Sequence, residues 1–98
     1  MMRLLGLDPG LNRTGWGVIE ATANRLVYVA DGVVESDASL SLAERLATIY
    51  DGLKRVIDEY RPEEAAVEET FVNVNAQSTL KLGHARGVVL LAPAHHGL

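Results

Sequence analysis

Seven apolar side chains between residues 42 and 60 recur at steps of three and four, and no other pattern restricts the fold of this chain so strongly: Leu42, Leu46, Ile49, Leu53, Val56, Ile57 and Tyr60. That spacing lines them along one face of an α-helix. Ser41 and Glu44 stand ahead of it with the S-x-x-E spacing of a capping box, and Pro62 ends it. Gly52 lies inside, where glycine costs about 1 kcal/mol relative to alanine, so a close neighbour is expected there. Strand-like runs flank the helix. Arg3 to Leu7 is a short apolar run broken by the turn residues Asp8-Pro9-Gly10; Thr14 to Glu20 and Arg25 to Val34 follow, the latter with a bend or bulge expected near Gly32. Their short connections predict an antiparallel meander of three strands. Ala65-Ala66-Val67-Glu68 after the helix reads as a fourth strand, and a strand–helix–strand passage favours a parallel neighbour joined with right-handed sense. The expected class is α/β with a mixed sheet.

Ala76 to Ala92 reads as a second helix, capped by Asn73 or Asn75 and kinked or ended by Pro93. Leu80, Leu82, Val88, Leu90 and Leu91 make it apolar on more than one side, so it needs a partner besides the sheet. Gly83 and Gly87, four apart, share a face and would admit another backbone.

The 98 residues suffice for one small domain, read as 1–98 without linker or repeat. The absence of cysteine excludes disulfides and thiolate metal sites. No apolar run approaches the ~20 residues of a membrane span, and the first residues lack a secretory signal, which points to a cytoplasmic chain. The formal net charge of −4 argues against strong nonspecific binding to nucleic acid, which depends on cations that neutralise phosphates.

Two acids stand at the ends of apolar strands. Asp8 closes the first and Glu68 the fourth; if those strands are neighbours, the carboxylates meet at one sheet edge. So close a pair repels unless a cation lies between, and an oxygen-only ligand set suits Mg²⁺, with Mn²⁺ as the alternative. The blander reading makes Asp8 a turn residue and both acids solvated strand ends. Strand alternation sends Glu69 to the opposite face. Phe71, the only phenylalanine, stands in the polar stretch Thr70 to Asn75. Chemistry alone favours a ring folded onto the core over one that stacks on unpaired bases. Arg13, Lys81 and Arg86 are candidate phosphate contacts or simply solubilising charges. His84, His95 and His96 have no partner at metal-binding spacing and read as structural or exposed.

LGLDPGLNRTGWGVI, followed by AVEETFVNVNAQSTLKLGHARGV, resembles the RuvC family of bacterial Holliday junction resolvases along essentially the whole chain. The second block is the more specific, with an acid, a phenylalanine three residues on, an Asn-Ala pair and L-K-L-G-x-A-R-G. The resemblance implies an RNase H-like fold and a homodimer that nicks four-way junction DNA symmetrically, in recombination and repair, with the RuvA–RuvB branch-migration complex as a partner. It implies two-metal phosphodiester hydrolysis with Asp8 and Glu68 as catalytic carboxylates and metal ligands. Phe71 would lie against bases at the crossover, which reverses the chemical reading above. Arg13, Asn75, Lys81 and Arg86 would face DNA, and the helix with Gly83 and Gly87 would form the dimer interface.

The family pattern has two further aspartates, a last strand and more basic residues that nothing in residues 1–98 matches. Pro93 also stands where similar sequences have a helix former. The chain alone is therefore expected to be inactive or weak. Competing readings are a YqgF-like nuclease acting on RNA, an ATP-binding domain of the sugar-kinase type, and a noncatalytic dimerising or DNA-binding chain. The YqgF-like reading leaves the Phe71 stretch and the L-K-L-G-x-A-R-G helix unexplained.

Overall fold

The computed structural model describes residues 1–69 and 75–98. Three strands, β1 (Met2–Asp8), β2 (Arg13–Thr22) and β3 (Arg25–Glu35), precede helix α1 (Leu42–Tyr60); strand β4 (Glu64–Val67) and helix α2 (Ala76–His95) follow. The sheet order is β3-β2-β1-β4, with β1–β2 and β2–β3 antiparallel and β1–β4 parallel. This is the mixed sheet that the strand pattern predicts.

Both helices lie on one face of the sheet. Leu5, Leu7 and Val18 point into the core there and meet Ile49, Leu53, Val56 and Ile57 of α1 and Ala85, Val89 and Ala92 of α2. Leu5 pairs with Val18 and Ala65, and Leu7 with Trp16 and Val67, so alternation turns Leu4, Gly6 and Asp8 to the other face. Arg3 locks the far end: its guanidinium donates to the Tyr60 carbonyl at 2.7 Å and to Glu20 Oε1 at 2.6 Å.

The α1 capping box forms as expected, with the Ser41 hydroxyl accepting from the Glu44 N–H. The helix closes one residue before Pro62, where Arg61 adopts the left-handed conformation (φ 48°) and its N–H donates to the Ile57 carbonyl at 2.8 Å. A Cβ on Gly52 would come within 2.5 Å of Val34 Cγ1, which explains a glycine inside the helix.

Three expectations need correction. The irregularity of β3 lies opposite Val18 and Ile19, not at Gly32; Gly32 instead makes room for the Trp16 ring, which a Cβ would approach to 2.7 Å. Strand β4 begins and ends one residue earlier than read, so Glu68 stands just beyond it. Helix α2 continues past Pro93 to His95. Pro93 is buried, and the helix closes directly after it as the His96 N–H turns back to the Pro93 carbonyl at 3.0 Å. Of the two proposed caps, Asn75 serves: its carboxamide oxygen accepts from Gln77 N at 2.9 Å and Ser78 N at 3.2 Å. Asn73 lies outside the described residues. Among the described residues, no helix is long and apolar enough to cross a membrane.

Candidate active site

The parallel pairing of β1 with β4 brings the two acids together. Leu7 is in register with Val67, and the Glu68 N–H donates to the Leu7 carbonyl at 2.8 Å. Asp8 and Glu68 are the next residues on neighbouring strands, both exposed, and both line one open cleft of about 440 Å³. Glu69 does not line it.

The cleft has an almost bare floor. Gly6 is in register with Gly17, and Asp8 with Gly15, so three glycines face it from adjacent strands beside Ala66. The polar groups stand at one end of an otherwise smooth surface, where a bulky ligand backbone could approach closely. Among the described residues neither Asp8 nor Glu68 forms an ion pair or a side-chain hydrogen bond. Two unpartnered oxygen donors at a shared mouth, in a chain without cysteine, fit a hard divalent cation. No group of three or more His, Cys, Asp or Glu gathers among the described residues, and Asp8 and Glu68 are the two that would face such an ion there.

The turn after Asp8 is tightly built. The Thr14 hydroxyl, fully buried, donates to the Gly10 carbonyl at 2.8 Å and accepts from the Gly10 N–H at 3.3 Å. A Cβ on Gly10 would fall 2.3 Å from the Arg13 carbonyl oxygen. Arg13 opens β2 beyond this turn, exposed and in register with Glu35.

The remaining candidates lie on α2 or beyond description. Lys81 is exposed; Arg86 is half-buried, and its Nε is buried without a hydrogen-bond partner. Gly83 and Gly87 are exposed, with nothing within 4 Å of a Cβ placed on either. Leu80, Leu90 and Leu91, at 61%, 43% and 57% exposure, share that stripe. Phe71 lies outside the described residues. His95 and His96 cluster with Tyr50 at the far end of α2, with ring centroids 5.6 to 6.1 Å apart, while His84 is exposed.

One residue escaped the sequence reading. Arg45 is the only charged side chain buried among the described residues, at 8% exposure. Its position four residues before Ile49 puts it in phase with the apolar face of α1, and that phase was the signal.

A family model for crossover junction endodeoxyribonuclease RuvC matches residues 4–98. The chain belongs to the RuvC family. It is 66% identical over 97 residues to the crossover junction endodeoxyribonuclease RuvC of Paramagnetospirillum magneticum, covering 99% of this chain and 58% of that relative. With the RuvC of Rhodospirillum rubrum the identity is 68% over 97 residues, covering 99% of this chain and 57% of the relative. Thermus thermophilus RuvC, solved in complex with a Holliday junction substrate, superposes with a TM-score of 0.88 at 32% identity, covering 99% of this chain and 59% of that one. The fold is thus the RNase H-like RuvC fold. The chain spans a little under three fifths of the length of these RuvC relatives, as those coverages show. At the level of family, these matches decide against the YqgF-like and sugar-kinase readings.

Proposed function

We propose that this chain is the part of a Holliday junction resolvase that carries two of its catalytic carboxylates, acting on four-way junction DNA in recombination and repair. The observation that carries the reading is the meeting of Asp8 and Glu68 at adjacent parallel strand ends, above a glycine floor. Family membership and the junction-bound Thermus thermophilus relative supply the substrate class.

Asp8 and Glu68 would hold Mg²⁺, with Mn²⁺ as a substitute; a bound pair of ions would polarise the scissile phosphate and acidify the attacking water. The two carboxylates fix where that charge sits. Gly6, Gly15 and Gly17 leave room for the sugar-phosphate backbone beside them. Arg13, Lys81 and Arg86 neutralise flanking phosphates, which carries affinity without sequence information. Asn75 sets the start of α2 near the strand, and Phe71 stacks on bases freed at the crossover.

Symmetric nicking requires two sites, and the exposed Leu80, Leu90 and Leu91 around Gly83 and Gly87 support a homodimer through α2. The RuvA–RuvB complex is the partner that the family implies. The chain by itself is assigned weak or no cleavage, because two carboxylates alone leave most of a cation's six ligands to other groups.

The test uses a completed chain, residues 1–98 continued by the remaining part of the Paramagnetospirillum magneticum relative. It should nick a labelled four-way junction only with Mg²⁺ or Mn²⁺. Asp8→Asn and Glu68→Gln should each lower the rate by more than the roughly 10–100-fold typical of outer-shell changes at metal sites, with junction binding retained. Nicking that persists in either variant, or with chelator present, would refute the assignment. Binding without any nicking by the completed chain would favour the noncatalytic reading.

A further inference from the structure

Burying a guanidinium is costly unless its donors are satisfied, and Arg45 directs two donors at separate connections, one between β1 and β2 and one between β3 and α1. Its Nη2 donates to Asn12 Oδ1, and its Nε donates to Ser36 Oγ at 3.1 Å. The Ser36 hydroxyl donates in turn to the Leu11 carbonyl, and the Ser36 N–H to the Asn12 carbonyl at 3.1 Å. Among the described residues Arg45 forms no ion pair. Leu11 and Asn12 belong to the loop that runs from Asp8 to Arg13, whose other half is held by the pairing of Thr14 with Gly10.

We infer that Arg45 is a positioning residue for Asp8: it clamps the loop that follows the carboxylate onto α1 and the end of β3. The inference rests on the nuclease reading above and deepens it. The clamp ties three elements with side chains of fixed geometry. Two Arg45 donors point at different residues, which a planar fork does and a single lysine ammonium does less well. A hydrocarbon side chain would fill the same space at lower desolvation cost but would leave Asn12 and Ser36 without their donor. Asp8 itself touches none of these groups, so the effect reaches it through Pro9 and Gly10.

The test is made in the completed chain with Arg45→Lys, Asn12→Ala and the double variant. Asn12 is exposed, so its truncation spares the core even where Arg45→Lys fails to fold. Each single variant should lower kcat for junction nicking by about 10–100-fold, the range for groups that orient metal ligands. The Mg²⁺ concentration for half-maximal rate should rise, while KM for the junction stays unchanged. Amide exchange of Ser36 and Gly10 in metal-free protein should accelerate. The double variant should lose no more than the worse single one, since both break one linkage.

Unchanged kcat and Mg²⁺ dependence in Asn12→Ala would overturn the inference, as would losses that multiply in the double variant. A parent chain that fails to nick junctions would defeat the functional reading instead. The clamp would then be decided by the Ser36 and Gly10 exchange rates alone: acceleration in Asn12→Ala supports it, and parental rates refute it.

Discussion

Gly10 stands two residues after Asp8 and Gly17 lines the cleft of the two acids, yet alanine should act on them in opposite directions. At Gly10 a Cβ would stand 2.3 Å from the Arg13 carbonyl oxygen and 3.3 Å from its carbon, and both are backbone atoms that cannot swing aside. Forced overpacking of this kind costs about 1–3 kcal/mol. Opening the turn also loosens the two hydrogen bonds between Gly10 and Thr14, each worth about 0.5–1.5 kcal/mol. The sum is about 2–6 kcal/mol, and in a domain of this size each kcal/mol moves Tm by roughly 4–8 °C, so Gly10→Ala should melt at least about 8 °C lower. At Gly17 nothing lies within 4 Å of the added methyl. A glycine inside a strand costs roughly 0.5–1 kcal/mol relative to alanine, so Gly17→Ala should melt a few degrees higher. Urea unfolding followed by circular dichroism checks both, with equal m-values required for the comparison. A Gly10→Ala chain as stable as its parent, or a destabilised Gly17→Ala chain, would refute the reasoning. In the completed chain, Gly17→Ala should then weaken junction cleavage despite its added stability, because the methyl projects from the floor of the cleft.

Phe71→Ala in the completed chain should impair junction cleavage more than melting temperature; a loss of melting temperature in proportion would mark the ring as core. Leu53 is fully buried in α1, and Leu53→Ala should cost about 2–5 kcal/mol in urea unfolding; a cost below roughly 1 kcal/mol would show that the helix is not seated on the sheet as described. The Asp37 carboxyl is held below its ordinary value first by the Ser39 N–H that donates to it, then by the Ser39 hydroxyl and more weakly by the charge of Arg45. Because the folded value is the lower one, its contribution is present above the unfolded value and is lost as pH falls through the folded one. The Ser39 amide resonance should therefore shift in that acid range, and Asp37→Asn should abolish the shift.

The strands and α1 were legible because their apolar residues keep period two or near 3.6 and their ends carry punctuation such as Ser41, Glu44 and Pro62. The meeting of Asp8 with Glu68 was legible only as a condition: the crossover rule favours a parallel neighbour for β4, but the order of elements does not say that this neighbour is β1 rather than β3. What escaped depended on contacts between elements distant in sequence. Gly32 looks like a bulge residue, but its reason is the Trp16 ring across the pair, while the real irregularity at Val18 and Ile19 carries no glycine. Pro93 looks like a stop, and it forfeits its own N–H bond to the preceding turn, yet only two helical residues follow it and its ring is buried. Arg45 looks like a solvated charge, because the acceptors that bury it lie 33 and 9 residues away.

The floor of the cleft extends this argument from folding to function. Gly6, Gly15 and Gly17 weaken the strands that contain them, and none adopts a positive φ that would demand glycine. Packing does not demand it either: a Cβ on Gly6 or Gly15 would meet its neighbours at 4.0 and 3.7 Å, ordinary contact, and at Gly17 it would meet nothing. Gly10, Gly32 and Gly52 differ, since each faces an atom within 3 Å and is explained by the fold. Local structure thus accounts for the second set of glycines and not for the first. On the function proposed above, the space over the first set would take a phosphodiester backbone brought to the two carboxylates beside it. The separation is open to measurement: if alanines at Gly6 and Gly17 leave the completed chain stable and fully active on junctions, the bare floor serves neither folding nor substrate, and the carboxylates would have to act on DNA that approaches from the loop side, past Arg13.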